Sequence, residues 1–335
     1  KDLLEYWSAG GILRWNEILR ELVAKHNLPP YQNEDGVYPL PNSANPFSYP
    51  EFPFSNPPYA ARAYAYVSAA QYDALVAANY LKSKYKRPSP NKINSDVSLL
   101  VPSSQVSAYA YPSEQSVIDA VTVEVLKLLF PTEIAYVQQK AQEHKISRMI
   151  AGASTRSDLE AGEKLGKLVA AKFVSRARAD KAGRAVGDAT LWNKLENSCV
   201  AGGETPWISL DSPKRPPMLP SFGAVKGFLI DSLGVINSRP PAPPSTNSED
   251  FKNDLKEVLW YSEHQTKERF RIVNFWADGA GTYTPPGHWN AIACETFVKQ
   301  KFSEVRWARN LALLNIAMMY AAICCCDAKV VVIIY

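Results

Sequence analysis

The stretch AARAYAYVSAAQYDALVAANYL, residues 60–81, is rich in alanine and tyrosine and contains neither proline nor glycine. This composition favours a long helix whose small side chains allow neighbouring helices to pack closely. Apolar residues recur at helical spacing in residues 11–26 and 117–129. A further helix is predicted to begin near Ser157, which has capping-box spacing to Glu160. Because the alternation typical of strands is scarce, the sequence predicts an all-α fold built from helical bundles.

Proline-rich segments divide the chain into parts. Nine of the 25 prolines lie between residues 29 and 58, and four lie between residues 240 and 244. Since proline cannot continue a regular helix, these segments predict long connections between helical regions. We predict a first helical bundle over residues 1–185, a Pro- and Gly-rich connection over 186–250, and the beginning of a second bundle over 251–335.

Composition and charge exclude several classes of function. The 335 residues include 37 basic and 33 acidic side chains, and this net charge of +4 is too small to indicate a nucleic-acid surface. We expect no nucleic-acid partner, since the basic stretch at residues 82–87 is too short to read bases. No uninterrupted run of about 18 apolar residues occurs, so we expect no membrane span. The consecutive Cys324–Cys326 would fan around a helix, and no metal site is predicted.

The start of the chain bears on localisation. It begins at Lys1 with no apolar leader, which predicts a secreted or periplasmic protein whose leader has been removed. The oligomeric state stays open, with a homo-oligomer among the alternatives.

An internal repeat is visible in the sequence. SAAQYDALVAANYLK, residues 68–82, can be laid on NIAMMYAAICCCDAK, residues 315–329, at an offset of 247 residues. Both segments are rich in small residues and both end in lysine. The alignment predicts two related helical halves, with Lys329 in the position of Lys82.

Polar residues that could hold an anion occur in three clusters. Lys82 heads a basic stretch, and Ser113 lies where a helix is predicted to begin. Arg148 lies in SRMIAGASTRSD, residues 147–158. Cations neutralise a tetrahedral oxyanion, while hydroxyls and helix-terminal amides donate to its oxygens. We predict that Lys82, Ser113 and Arg148 bind an oxyanion such as phosphate, sulfate or vanadate; the alternative is a solvated basic face with helix caps.

Several motifs together suggest a family. The three clusters, with RWNEIL (14–19), AYPSEQ (110–115) and FWADGAGTYTPPGHWN (275–290), resemble the superfamily that joins type 2 phosphatidic acid phosphatases, bacterial acid phosphatases and vanadium-dependent haloperoxidases. The similarity is greatest to the haloperoxidase-like branch and spans nearly the whole chain. It implies two facing helical bundles, of which only the second carries the cofactor.

The family pattern is interrupted where its chemistry resides. Counted from Lys82, Ser89 stands at the arginine of the first motif, and Arg87 would replace it only in a shifted register. Gln115 and Ser154 stand where the second and third motifs have histidine. Glutamine does not shuttle protons near neutral pH, and an unassisted serine is a poor nucleophile. The first-bundle site is therefore predicted to be catalytically degenerate.

The resemblance implies that the active site lies in the second bundle. Asp327-Ala328-Lys329 is similar to the start of the first motif, so Lys329 would be the anion ligand, with the remaining ligands beyond Tyr335. Asp158 and His288 are expected to support a site without touching the anion, and His288 is expected in a loop. The remaining histidines lie in helical patterns and are predicted to be surface residues: His26, His144 and His264.

Two classes of function follow from these motifs. We expect the full-length parent to be an enzyme, either a phosphomonoesterase or a haloperoxidase, with vanadate as cofactor in the second case. No cofactor is expected within residues 1–335 themselves. The alternative is a non-catalytic protein that binds an oxyanion or acts as a scaffold.

Overall fold

The computed structural model describes residues 2–28, 34–36, 53–102, 106–210 and 217–332. Lys1, Tyr335 and most of the predicted Pro-rich connection at 29–58 lie outside these residues. The α-helices in chain order are α1 (Asp2–Trp7), α2 (Gly11–His26), α3 (Pro57–Tyr85), α4 (Pro90–Ile93), α5 (Glu114–Leu129), α6 (Ile134–Ile150), α7 (Arg156–Ala179), α8 (Ala189–Ala201), α9 (Ser232–Asn237), α10 (Glu249–Glu263), α11 (Lys267–Trp276), α12 (Thr284–Lys299) and α13 (Glu304–Val332). No strand occurs in the described residues, so the predicted all-α fold is confirmed.

The helices form two compact units, and each unit is assembled from separate stretches of chain. The first comprises Lys1–Val23, Ala60–Ala179 and Pro286–Met318, and the second comprises Ala24–Tyr59, Asp180–Pro285 and Met319–Tyr335. This division follows contacts in space, whereas the ranges 1–185, 186–250 and 251–335 follow motifs along the chain and stay a prediction. The predicted connection contains helices of its own, α8 and α9.

Helix α5 is the central helix of the first unit. Its valines, its isoleucine and its leucines except Leu128 are buried, and they lie on nearly every side of the helix, as expected for a helix enclosed by others. Helix α7 approaches it closely at two glycines. A Cβ atom on Gly162 would lie 2.4 Å from the Ser113 carbonyl oxygen, and one on Gly166 would lie 2.6 Å from that of Val117. Only glycine therefore allows the two backbones to come this near.

The sequence repeat corresponds to helices of equal length. Helices α3 and α13 both span 29 residues and begin 247 residues apart, at Pro57 and Glu304. Helices α2 and α12 both span 16 residues. They share the pattern Trp-Asn-x-Ile, at residues 15–18 and 289–292, with an offset of 274. The helix bounds thus agree with the repeat that the sequence predicts.

Buried amides join the repeated helices within the first unit. We call Asn16, Ser68, Asn290 and Asn315 the asparagine cluster. The Asn16 amide donates to Asn290 (2.7 Å), and the amides of Asn290 and Asn315 donate to each other (2.7 and 3.1 Å). The Asn315 amide also donates to the Ser68 hydroxyl (3.3 Å). Asn16 contacts its repeat counterpart Asn290, and Ser68 contacts its repeat counterpart Asn315. Contacts between counterparts are expected beside an approximate two-fold axis.

The prediction that His144 lies at the surface is wrong. His144 is 1% exposed, not a surface residue. Its Nδ1 lies 2.7 Å from the Asp119 carboxylate, and its ring stacks on Trp7 at 4.0 Å between centroids. Trp15 donates to the same carboxylate oxygen at 2.8 Å. These partners come from distant parts of the chain, so helical periodicity alone could not indicate them. His264 is exposed as predicted, whereas His26 is half-buried.

Helix α13 has a second notable property. Its residues Glu304–Val330 are long and apolar enough to cross a bilayer, with about 33% of the stretch buried. Within it, the largely apolar stretch at residues 311–323 is shorter than about 18 residues. A core helix of a globular protein meets the same criterion, so the absence of a membrane span stays a prediction.

The close packing of α5 and α7 yields a stability test. We expect Gly166→Ala to lower the free energy of unfolding by about 1–3 kcal/mol, because the new methyl group meets a backbone carbonyl that cannot move independently. Urea unfolding measures the effect. Gly279→Ala is the matched control, because no atom lies within 4 Å of the added Cβ there. Equal stabilities of the two variants would contradict the packing described.

Candidate functional site

The first two predicted clusters meet where α3 ends and α5 begins. Lys82 lies in the last turn of α3, is 4% exposed, and donates from Nζ to the Glu114 carboxylate at 2.9 Å. Glu114 is the first residue of α5, directly after the N-cap residue Ser113. Glu114 was not singled out from the sequence. It is the residue that joins the lysine of the first cluster to the helix start of the second.

A cavity of about 330 Å³ opens beside these residues within the first unit. It is large enough for a small ligand. We call it the first-bundle cavity, and the residues that matter to its chemistry line its wall: Glu114, Gln115, Arg148 and Glu304. Of the three predicted anion ligands only Arg148 lines it, while Lys82 reaches it through Glu114. Glu304 and its neighbour Trp307 come from α13, so the second half of the chain helps to close it.

Arg148 is a buried cation surrounded by carboxylates. It lies near the end of α6 and is 8% exposed. Burial lowers the pKa of its guanidinium group, while the negative charges of Glu114, Glu304 and Asp119 act in the opposite direction. A charge removed from water in this way requires compensation nearby. These carboxylates provide it.

Glu304 lies at the first position of α13 and faces the start of α2. Its carboxylate accepts a hydrogen bond from the Ile12 backbone amide at 3.1 Å. A Cβ atom on Gly10 would lie 2.3 Å from the Glu304 carboxylate, and Gly10 has a φ of +106°, so glycine is required there. Burial raises the pKa of Glu304 to about 7, and the charge of Glu114 adds to that rise. The Ile12 amide and Arg148 oppose it.

The third cluster encloses Asp158 at the start of α7. Its carboxylate accepts hydrogen bonds from the Thr155 amide and hydroxyl, both at 2.7 Å, and pairs with the Arg87 guanidinium. Arg87, which the sequence places two residues early for its motif, therefore reaches the third cluster. Ser89 instead donates its hydroxyl to the Asn91 side chain at 2.7 Å.

The two positions that lack histidine lie near the other predicted ligands. The Ser154 and Ser113 hydroxyl oxygens are 3.4 Å apart, so the second and third clusters meet. Gln115 is 8% exposed and lines the first-bundle cavity, and its Oε1 is buried with no hydrogen-bond partner among the described residues. No described residue that lines this cavity is a histidine. The cavity therefore offers carboxylates and hydroxyls but no imidazole to a reacting group.

Vanadate does not fit these residues. Vanadate is an anion, and the resemblance implies that an imidazole would bind it. Here Glu114 and Glu304 line the first-bundle cavity and act on Arg148, and Gln115 and Ser154 stand where the resemblance implies imidazoles. No described cluster of three or more His, Cys, Asp or Glu side chains could hold a metal ion.

Lys329 lies in the second unit in a different environment. It is exposed on α13 and lines a cavity of about 400 Å³ together with Cys324, Cys325 and prolines of the segment 240–243. Two residues earlier, the Asp327 carboxylate accepts two hydrogen bonds from the Arg239 guanidinium, at 2.7 and 3.1 Å. Arg239 was not identified from the sequence, because 88 residues separate it from Asp327.

The prediction that His288 lies in a loop is wrong. His288 lies in the first turns of α12 and is buried. The sequence Thr284-Pro285-Pro286 suggests a turn. However, prolines fit the first turn of a helix, where a backbone amide has no intrahelical acceptor. The supporting roles expected for His288 and Asp158 stay predictions.

Comparison with solved structures identifies a similar fold. The chain matches a bacterial vanadium-dependent iodoperoxidase with a TM-score of 0.52 and 19% sequence identity, over 83% of this chain and 65% of that chain. No protein-family model and no curated protein matches the sequence. The chain thus spans slightly less than two thirds of the iodoperoxidase. The similarity confirms, at the level of the fold, the haloperoxidase-like architecture that the motifs predict.

The position of Glu304 predicts a pH dependence of stability. Its pKa is about 7 in the folded chain against 4.5 for an ordinary glutamate. Between these values the folded state holds a proton that the unfolded state releases. The contribution of Glu304 to stability is therefore greatest below pH 4.5 and is lost as the pH rises through 7, by up to about 3 kcal/mol. We expect Glu304→Gln to remove this loss, because glutamine carries no charge.

Urea unfolding from pH 4 to pH 8.5 tests this expectation. The exposed Glu257 of α10 supplies the control, because Glu257→Gln changes the same group in contact with solvent. The control should retain the pH profile of the parent chain. A parallel profile for Glu304→Gln would show that the Glu304 carboxyl does not titrate in this range.

Proposed function

We propose that the protein belongs to the superfamily of type 2 phosphatidic acid phosphatases and vanadium-dependent haloperoxidases. Its full-length parent would hydrolyse phosphomonoesters or oxidise halide with peroxide and vanadate. The first bundle would take no part in the chemistry. The fold shared with an iodoperoxidase and the three motif clusters support the superfamily. The contrast between the two repeated lysines supports the assignment of the chemistry to the second bundle and not to the first.

Lys82 and Lys329 occupy the same position in two 29-residue helices. Lys82 is buried and its charge is met by Glu114, which leaves little positive potential for a substrate. Lys329 is exposed and lines a cavity. A lysine binds phosphate or vanadate oxygens as a point charge, and this requires that the ammonium group be accessible. This contrast is the observation on which the proposal depends.

The surface of α13 also supports a larger second bundle. On α3, a stripe at four-residue spacing is buried and ends in the lysine: Tyr66, Ala70, Ala74, Ala78 and Lys82. Helix α5 contacts α3 along its length, through Thr122 with Gln71 and through Glu114 with Lys82. The counterpart stripe on α13 is exposed throughout: Leu313, Ala317, Ala321, Cys325 and Lys329. A helix equivalent to α5, supplied by the parent polypeptide, would cover this stripe.

The catalytic test uses the polypeptide translated past Tyr335 in the same reading frame. We expect it to hydrolyse p-nitrophenyl phosphate or, with vanadate and peroxide, to brominate a phenolic dye. Lys329→Met should reduce turnover by about 10²-fold or more, because the anion loses a positive charge held against it. Lys82→Met is the matched control at the counterpart position and should retain turnover.

Two outcomes would contradict the proposal. The first is turnover that depends on Lys82 and not on Lys329. The second is a folded extended polypeptide without either activity, which would favour a non-catalytic scaffold. Circular dichroism confirms that each variant is folded before rates are compared.

A further inference from the structure

Two buried cations lie at or next to the first-bundle cavity. Arg148 lines it and Lys82 lies behind Glu114, and each is more than nine-tenths buried. Glu114 contacts Lys82 at 2.9 Å. The negative charges that act on Arg148 are those of Glu114, Glu304 and Asp119. Both cations that the sequence assigns to the first-bundle site are therefore already opposed by carboxylates of the chain.

An anion site that awaits its ligand has the opposite arrangement. There the ligand brings the negative charge, and the protein supplies cations, amide donors and hydroxyls. A phosphate entering the first-bundle cavity would lie beside Glu114 and Glu304, both of which line it. Negative charges that share one partly desolvated cavity repel each other strongly. The cavity in its native form therefore disfavours an external oxyanion.

We propose that Glu114 and Glu304 act as built-in ligands that replace the oxyanion of this site. The proposal rests on the proposed function in one respect, because it treats the cavity as the counterpart of an anion-binding site. Glu114 serves Lys82, and Glu304 serves Arg148 together with the start of α2. These two carboxylates determine the specificity of the cavity, because they exclude phosphate, sulfate and vanadate.

Glu304 shows how the replacement contributes to the fold. Glu304 belongs to α13, and Arg148 belongs to α6. The backbone amide that donates to Glu304 is that of Ile12, in α2. A carboxylate at a helix N-terminus beside an arginine satisfies the same donors as a bound anion would. Unlike a diffusible anion, it is attached to the chain and cannot dissociate. Glu304 thus links α13 to α2 through the Ile12 amide, and its charge acts on Arg148 of α6 without a bound ligand.

Anion binding to the 335-residue chain tests the proposal. Isothermal titration calorimetry is carried out at pH 8, where the Glu304 carboxylate is ionised, with sodium phosphate and with orthovanadate. We expect no saturable heat from the parent chain up to 10 mM anion, an order-of-magnitude limit for very weak binding. Glu114→Gln together with Glu304→Gln should bind at least about tenfold more tightly, because each substitution removes a negative charge without changing side-chain shape.

Matched variants assign the binding to this cavity. Adding Arg148→Ala to the double variant should abolish the gained heat. Glu163→Gln changes a glutamate that pairs with Lys145 and Lys167 outside this cavity, and it should leave the chain unable to bind anion. If the double variant does not fold, the single variant Glu114→Gln is used in its place. It should bind phosphate or orthovanadate at least about tenfold more tightly than the parent chain.

Two results would overturn the proposal. One is Arg148-dependent binding of phosphate or vanadate to the parent chain at submillimolar concentration, which would show that the cavity is open to anions. The other is a folded Glu114→Gln variant, with or without Glu304→Gln, that gains no affinity. Neither result depends on catalysis. Failure of the extended polypeptide to turn over substrate is therefore distinguishable from failure of this inference.

Discussion

The neutralisation of two buried cations constrains the first unit more than any other interaction described. Lys82 and Arg148 are both withdrawn from water, and a charge in that position is tolerated only beside compensating groups. Glu114 must therefore lie at the start of α5, within reach of the end of α3. Glu304 must lie at the start of α13, opposite α6 and α2. The contact of Lys82 with Glu114 thus ties the end of α3 to the start of α5, and the contact of Glu304 with Ile12 ties the start of α13 to that of α2.

The approximate two-fold relation explains how one sequence pattern gives two environments. Helices α3 and α13 have the same length and meet through Ser68 and Asn315 at equivalent positions. The asparagine cluster offers buried donors and acceptors that pair only in one register, so it specifies how the repeated helices are aligned. Away from that cluster the two helices differ, because α5 covers α3 and no described helix takes the equivalent place on α13. The same lysine position is consequently buried in one half and accessible in the other.

Local pattern predicted the parts of the structure that depend on neighbouring residues. The helical period gave the all-α fold and the buried face of α2, and small residues indicated close packing of α3. The pattern failed where distant residues decide the outcome. His144 is buried because Asp119 and Trp7 contact it, and Arg87 reaches Asp158 across 71 positions. The sequence could not predict that Glu304 lines the first-bundle cavity, because only the packing of α13 brings it there.

A site that has lost both imidazoles need not persist as an empty pocket. Two cations left without a ligand would destabilise the fold, because their desolvation would be uncompensated. Glu114, which contacts Lys82, reduces this cost for the lysine, and the ionised carboxylates of Glu114, Glu304 and Asp119 act on Arg148. Once they are present, a cation in this cavity can no longer serve catalysis, since its charge is already used within the chain. On the proposal above, the same pair of carboxylates gives this unit a cavity that needs no bound anion and that excludes one.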